Sequence, residues 1–157
     1  MKSNTILILH DIRSAQNVGS LFRTADAVGI DKIYLSAICP LPIDRFGRPV
    51  GAIAKTALGA QHTIPWESYS DIKTLIAELR KEGFDIVAIE QSPNAVDYKT
   101  ISRNGPTAFI LGNEVHGITQ DILDSVDTVT HIPMHGQKES LNVSVAGGIV
   151  LFRILDR

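Results

Sequence analysis

The segment at residues 143–155 restricts the possible folds of this chain more than any other stretch. As a helix, its apolar residues would cover almost every face, so the helix must be buried on more than one side. Ser140 or Asn142 suits the N-cap, because a short polar side chain can accept hydrogen bonds from the free N–H groups of the first turn. Gly147 and Gly148 each cost about 1 kcal/mol relative to alanine, which indicates that a neighbouring backbone approaches closely. The segment therefore predicts a core helix or a helix at a subunit interface.

Length and composition exclude several classes of protein. With 157 residues and 44% hydrophobic content, the chain can build one normal core, so we expect a single domain over residues 1–157. The single cysteine, Cys39, excludes an internal disulfide and a cysteine-cluster zinc site, and fits a cytoplasmic protein. The apolar run at residues 6–9 is too short for a signal peptide or a membrane span, so we expect no membrane association.

Charge is distributed unevenly along the chain. Residues 1–60 contain seven Lys or Arg against four Asp or Glu, whereas residues 61–157 contain eight against thirteen. A polyanion would be expected to meet the N-terminal part. Ordinary scatter of surface charge is an equally good explanation of counts this small.

Short apolar runs alternate with helical periodicities along the chain. Strands are predicted at residues 5–9, 32–35, 62–65, 85–89, 107–111 and 128–132. Helices are predicted from an N-cap at Asn17 to Gly29, at residues 51–58, from a cap at Ser70 to Gly83, and from a cap at Thr119 to Leu123. The alternation predicts an α/β fold with one mostly parallel sheet and helices on both faces.

The ligand site is expected at the carboxyl ends of the strands, where parallel sheets bind their ligands. Polar loops follow the first, fourth, fifth and sixth predicted strands. The loop at residues 112–117 lacks the spacing of a P-loop or a dinucleotide motif. His116 and His135 lack metal-ligand spacing, so we expect no metal. Ser140 lacks the sequence of a nucleophile elbow, so a hydrolase is not expected. The residues alone therefore indicate an α/β enzyme that binds a ligand.

Residues 36–49 form a loop with three prolines and two arginines, Arg45 and Arg48, on either side of Phe46. Such a loop could bind RNA through phosphate contacts and stacking. A surface loop with Phe46 packed inward is an equally good alternative. Arg23 lies on a predicted helix whose apolar face is complete without it, so a solvated arginine is the simplest interpretation.

Three stretches resemble motifs of a known family when they are taken together in order. They are residues 17–25 (NVGSLFRTA), residues 109–118 (FILGNEVHGI), and residues 132–134 (IPM) leading to residues 140–146 (SLNVSVA). In order and spacing they resemble the three motifs of the SpoU/TrmH branch of the SPOUT RNA methyltransferases. The resemblance spans about residues 5–155, which is nearly the whole chain.

The resemblance implies a single SPOUT domain with a deep C-terminal trefoil knot, a homodimer, and methylation of a ribose 2′-hydroxyl in RNA by S-adenosylmethionine. Without it we would expect an unknotted, flavodoxin-like chain. Many relatives carry an extra RNA-binding domain, whereas this chain is expected to have none. Target choice would then depend on the bare domain or on a helper protein, and tRNA is favoured over rRNA.

The resemblance also assigns site residues. Those matching the active-site positions are Asn17, Arg23, Glu114, Ser140 and Asn142. Those expected around the cofactor are Ile89, Gly112, Ile132, Met134 and Leu141. Outside the three motifs, the expected RNA contacts are Arg13, Arg45 and Arg48.

Each active-site residue has an expected role. A guanidinium is a poor base, so Arg23 is expected to hold the 3′ phosphate and stabilise the developing alkoxide, near the cofactor of the other subunit. Asn142 and Ser140 would orient that group, and Glu114 would position Asn17 or Arg23. Two alternatives remain, a catalytically inactive RNA-binding module of the same fold and a small-molecule enzyme with a flavodoxin-like fold.

Overall fold

A computed structural model describes residues 4–157, and a single sheet organises that part of the chain. Its strands are β1 (Thr5–Leu9), β2 (Lys32–Ser36), β3 (Trp66–Tyr69), β4 (Asp85–Ile89), β5 (Val96–Asp97), β6 (Thr107–Leu111) and β7 (Thr128–His131). Its helices are α1 (Ala15–Val28), α2 (Gly51–Ala57), α3 (Ala60–Thr63), α4 (Ile72–Lys81), α5 (Gln120–Leu123) and α6 (Val143–Ile154), with a 3₁₀ turn at Tyr98–Thr100.

The strand order explains where the loops meet. Within residues 4–157 the order is β3-β2-β1-β6-β4-β7-β5, and all neighbouring strands are parallel. Because β6 lies between β1 and β4, the loops that follow β1, β6, β4 and β7 emerge side by side at one edge. The predicted mostly parallel sheet is confirmed. The knotted path of the C-terminal segment stays a prediction.

Helices cover both faces of the sheet, as predicted. Alternate residues of β1 point to opposite faces, so Leu7 packs in one apolar cluster with α1, α2, α3 and α6. Ile8 packs in the other with α4 and α5. Both residues are fully buried, as continuous apolar strands of a parallel sheet usually are. No helix within residues 4–157 is long and apolar enough to cross a membrane.

Helix α6 is buried on one side only in the single chain. Val150, Leu151 and Ile154 pack in the core. On the other side Val145, Ile149 and Phe152 remain 49%, 38% and 37% exposed. The prediction of burial on more than one side is therefore not met by one chain, and a subunit interface stays a prediction.

The close approach predicted at the α6 glycines is made by side chains, not by a backbone. A Cβ atom on Gly147 would lie 2.8 Å from a methyl carbon of Leu111 and 3.0 Å from one of Leu21. Gly148 has ordinary space, with its nearest contact 3.8 Å away at Thr24. Of the two glycines, therefore, only Gly147 is at a position where a side chain would disturb the packing.

Asn142 caps α6, because its side-chain oxygen accepts hydrogen bonds from the N–H groups of Ser144 and Val145. Two other predicted caps are wrong. Ser14, and not Asn17, caps α1 by accepting from the N–H of Asn17 at 3.2 Å. Asp71, and not Ser70, caps α4 by accepting from Thr74. In both cases the capping side chain accepts from the N–H group three residues further along the chain.

Residues 62–65 do not form the predicted strand. They overlap the short helix α3 and an extended link at Pro65, whose carbonyl accepts from the N–H of Ile33 at 2.9 Å. Proline has no N–H to donate, so the pairing begins one residue later, at Trp66.

The strand β5 was not predicted, because two residues are too few to show a period. Of the predicted domain at residues 1–157, residues 1–3 lie outside the described part.

Candidate active site

A cavity of about 420 Å³ opens where β4, β6 and β7 end and α6 begins. Its volume lies within the roughly 300–1,000 Å³ usual for small-molecule sites. The cavity lies at the carboxyl ends of the strands, where the sequence predicts the site. Seven predicted site residues line the cavity, namely Ile89, Gly112, Glu114, Ile132, Ser140, Leu141 and Asn142.

The loop after β6, residues 112–118, forms one wall and folds back tightly on itself. A Cβ atom on Gly112 would lie 2.8 Å from the backbone carbon of Gly117, so only glycine fits there. The side-chain oxygen of Asn113 accepts from the N–H groups of Val115 and His116. The Asn113 side-chain amide donates to the carbonyl of Asp11 at 2.9 Å. Hydrogen bonds within the loop and to the loop after β1 therefore hold this wall in place.

Glu90 and Gln91, directly after β4, connect the other two walls. The Glu90 carboxylate accepts from the N–H of Ile118 at 2.8 Å. The Gln91 amide donates to the carbonyl of Ile132 at 2.8 Å. Both residues line the cavity. Only Ile89 was selected as a site residue here, although Glu90 and Gln91 begin the polar loop that follows the fourth predicted strand.

Glu114 joins the 112–118 loop to the first helix. Its carboxylate accepts from the N–H groups of Arg13 and Ser14 at 3.0 Å each and from the Asn17 amide at 3.2 Å. The Asn17 side-chain oxygen in turn accepts from the amide of Asn142 at 3.2 Å. Three motif segments that are far apart in sequence therefore meet through side-chain hydrogen bonds, and the expected contact between Glu114 and Asn17 is present.

The Glu114 carboxyl is held in its ionised form. Partial burial opposes ionisation, but the hydrogen bonds from Arg13, Ser14 and Asn17 outweigh it and lower the pKa of Glu114 below its ordinary value. The carboxylate also lies against the N-terminal end of α1, where free N–H groups favour a negative charge.

The remaining predicted residues lie outside the cavity lining. Arg23 is exposed on α1, and Met134 is half-buried after β7. Arg13 is exposed, and only its backbone N–H contacts Glu114. Arg45 and Arg48 lie together in the exposed loop between β2 and α2. One chain therefore brings together Asn17, Glu114, Ser140 and Asn142 but not Arg23.

The loop after β1 supports the cavity without lining it. His10 Nδ1 lies 2.7 Å from the Tyr69 hydroxyl, and the Ser36 hydroxyl donates to the Asp11 carboxylate at 2.9 Å. Burial lowers the pKa of His10, although the Asp11 charge opposes this effect. These groups fix the Asp11 carbonyl that holds Asn113. No group of three or more potential metal-ligating side chains occurs among the described residues.

Comparison with known proteins identifies the family. The sequence profile of the SpoU rRNA Methylase family matches residues 4–152. The chain belongs to this family. Among SpoU proteins, the Escherichia coli K12 tRNA (guanosine(18)-2'-O)-methyltransferase is 34% identical over 144 residues, which are 92% of this chain and 59% of the relative. The chain thus spans about three fifths of the length of that curated relative.

Solved SpoU-type structures share the fold. A crystal structure of the A. aeolicus TrmH/SpoU tRNA modifying enzyme has a TM-score of 0.85 and 27% identity, covering 99% of this chain and 75% of that one. A crystal structure of the AdoMet bound rRNA methyltransferase from Sinorhizobium meliloti has a TM-score of 0.86 and 28% identity, covering 98% and 56%. The sheet and helices described above are therefore those of a SpoU domain.

Glu114 links the 112–118 loop to the start of α1 by hydrogen bonds. Substitution of Glu114 by glutamine is expected to weaken this link in a pH-dependent way. Both carboxylate oxygens of Glu114 accept from backbone N–H groups. In glutamine an NH₂ group replaces one of these oxygens, so one backbone N–H group would face another donor and lose its hydrogen bond. Because the folded-state pKa is lowered, the carboxylate stabilises the wild type fully above the ordinary glutamate pKa, about 4.3. That stability is lost as the pH falls through the lowered value.

Thermal unfolding of wild type and Glu114→Gln at pH 7 and at pH 3.5 measures this effect. The difference in Tm should be largest at pH 7 and should shrink at the lower pH. Glu139→Gln, in an exposed loop, is the matched control and should show no difference at either pH. A Glu114→Gln difference that does not change with pH would contradict the role of the charge.

Proposed function

We propose that this chain is an S-adenosylmethionine-dependent RNA methyltransferase that methylates a ribose 2′-hydroxyl, with tRNA favoured over rRNA. The observation that carries the proposal is the cavity, whose volume suits one nucleoside-sized ligand and whose lining contains residues of the second and third motif segments. Asn17 of the first segment is hydrogen-bonded to Glu114 and Asn142 in that lining. The E. coli relative is named as a tRNA 2′-O-methyltransferase, and the S. meliloti structure is described as AdoMet bound, which supports both substrates.

The cavity has the chemistry that an adenosyl group requires. Ile89, Ile132 and Leu141 offer apolar contacts for an adenine ring, while Gly112 brings the backbone of its loop close to the ligand. Met134, just beyond the lining, would complete the apolar side. Bound S-adenosylmethionine supplies a methyl group that its sulfonium already activates, so the protein mainly has to align the ribose hydroxyl.

The polar residues then act on the RNA. Arg23 would hold the 3′ phosphate and stabilise the ribose oxygen as it loses its proton, because a guanidinium donates hydrogen bonds but does not accept a proton. The proton would pass to a phosphate oxygen or to water. Asn142 and Ser140 would orient the reacting group, and Glu114 would act as a positioning residue through Asn17, in line with their hydrogen bonds.

The proposal includes a homodimer formed through α6. The exposed apolar side of that helix, at Val145, Ile149 and Phe152, supports it, since burial of their remaining apolar surface contributes roughly 25 cal/mol per Å². In the dimer, Arg23 of the partner subunit would reach the cavity that the chain's own Arg23 does not line. We also propose a cytoplasmic location, which the buried free thiol of Cys39 supports.

An RNA-binding module without catalysis is not favoured. Such a module would need the basic surface but would have no use for Asn17, Glu114 and Asn142 in one hydrogen-bonded row. A flavin or nucleotide enzyme would need a phosphate cradle after β1, where the chain has His10 and Asp11 bonded to Tyr69 and Ser36 instead.

Titration calorimetry tests the proposed function. S-adenosylmethionine should bind with one site per chain, and flavin mononucleotide should give no heat. Incubation with total tRNA and methyl-labelled cofactor, followed by ribose mapping, should then locate a 2′-O-methylated nucleotide. Heat with the flavin and none with S-adenosylmethionine would refute the proposal. Binding of the cofactor and of RNA without any transfer would favour the inactive module.

A further inference from the structure

The loop between β2 and α2 presents two cations on one exposed aromatic ring. The guanidinium carbons of Arg45 and Arg48 lie 4.7 Å and 4.9 Å from the centroid of the Phe46 ring. Phe46 itself is 66% exposed, so the alternative of an inward-packed ring is wrong. We call Asp44–Arg48 the basic loop. Because both guanidinium groups contact the same ring, they are at most about 10 Å apart.

Asp44 holds the basic loop in this shape. One oxygen of its carboxylate accepts from the N–H groups of Phe46 and Arg48 at 2.8 Å and 2.9 Å. The other accepts from the Arg48 Nε at 3.0 Å. Gly47 takes the positive φ of 76° that the turn requires. The two cations are therefore arranged before any ligand arrives, which reduces the entropy lost on binding.

The surroundings of the basic loop fit a polyanion that also offers apolar faces. The loop carries two arginines against one aspartate, in a chain whose net charge is −2. Ile38 and Ile43, in the same connection, are 54% and 46% exposed. Phosphates alone would leave the ring and these isoleucines without partners. Unpaired bases would supply such partners, because their faces are free to stack.

We propose that the basic loop binds an unpaired segment of the RNA substrate, with Arg45 and Arg48 on neighbouring phosphates and Phe46 against a base. This inference rests on the proposed function, since it assigns the part of the RNA substrate that docks at the loop between β2 and α2. A double-stranded region is a poorer fit, because A-form RNA presents its phosphates and 2′-hydroxyls but keeps its bases stacked inside. The preferred substrate is therefore an RNA with an exposed loop.

Fluorescence anisotropy across a salt series tests the inference, with a labelled oligouridylate and a blunt RNA duplex of equal length as probes. The double variant Arg45→Gln, Arg48→Gln should weaken binding of the single strand. Its plot of log K against log salt should be less steep by about 1.4, or about 0.7 per lost phosphate contact. Phe46→Leu should lower single-strand affinity at least about fivefold without changing that slope, because both charges remain. It should leave duplex affinity unchanged.

Arg80→Gln is the matched control. Arg80 is also paired with an aspartate, Asp127 at 2.9 Å, and lies on α4 at the opposite face of the sheet. Its loss removes one positive charge, half of the change in the double variant, but should leave the slope as in the wild type. An unchanged slope in the double variant, or an equal loss in the control, would overturn the inference. So would equal losses of duplex and single-strand affinity in Phe46→Leu.

Failure of this inference can be told apart from failure of the proposed function. Every variant should bind S-adenosylmethionine as the wild type does, because the basic loop does not line the cavity. Absence of cofactor binding in the wild type would contradict the methyltransferase proposal but would not alter the RNA-binding result. Normal cofactor binding with an unchanged salt slope would contradict only the role of the basic loop.

Discussion

Substitution of Arg23 by alanine is expected to lower the rate of methyl transfer to RNA by about 10²–10³-fold, the usual cost of removing one group that stabilises a developing oxyanion. The affinity for S-adenosylmethionine should stay within about twofold of wild type, because the proposed contacts of Arg23 are with the phosphate and ribose of the RNA and not with the cofactor. Single-turnover kinetics and calorimetry measure the two quantities separately. Arg23→Lys should restore part of the rate, since it keeps the charge but loses the planar fork. Lost cofactor affinity with normal turnover would contradict the assigned role.

Mixing two inactive variants tests whether the arginine comes from the other subunit. When Arg23→Ala chains are mixed with Asn142→Ala chains, each mixed dimer should contain one site with both residues intact. Activity should therefore reappear on mixing. If Arg23 served its own chain, every site in the mixture would lack one residue and no activity would return. Sedimentation of the wild type as a monomer at micromolar concentration would also refute the arrangement.

Substitution of Gly19 by alanine is expected to destabilise the fold by about 1–3 kcal/mol, the usual cost of overpacking a core contact. Gly19 lies where α1 crosses α2. A Cβ atom there would overlap the Thr56 hydroxyl and lie 2.5 Å from the carbonyl oxygen of Ile53, which is backbone and cannot rotate away. For a chain of this length the Tm should fall by about 2–12 °C.

Gly51→Ala is the control for Gly19→Ala. Gly51 begins α2 and has open space around its Cα, so the added methyl should leave the Tm unchanged or raise it slightly. Both variants should be unfolded at the same protein concentration, because a dimer's Tm depends on it. An unchanged Tm for Gly19→Ala would show that α1 and α2 can move apart without cost.

Most elements could be predicted from the sequence because their signals are local. The runs Thr5–Leu9 and Thr107–Leu111 are fully buried strands, and their continuous apolar composition indicates this directly. Asn142 was one of the two residues predicted as the cap of α6, since a cap depends on its immediate neighbours. The caps at Ser14 and Asp71 were placed on nearby residues of similar chemistry. The strand at Val96–Asp97 was missed because it exists only by pairing with β7.

The candidate site was predicted in part. Resemblance selected Asn17, Glu114 and Asn142, and the structure joins them in one row of hydrogen bonds. It selected Ile89 but neither Glu90 nor Gln91, because the hydrogen-bond partners of these two residues, Ile118 and Ile132, are distant in sequence. It also left Gly19 without a role, although that glycine lets two helices cross.

Residue type and spacing alone determined that this chain forms alternating buried strands and amphipathic helices, because burial and backbone preference act over a few neighbouring residues. Only the tertiary structure decided which loops share one cavity. Asn17 meets Glu114 across 97 residues and Asn142 across 125, because the strand order places β6 between β1 and β4 and sets α6 beside α1. Strand order depends on how all the apolar faces pack at once, and no local stretch of sequence contains that information.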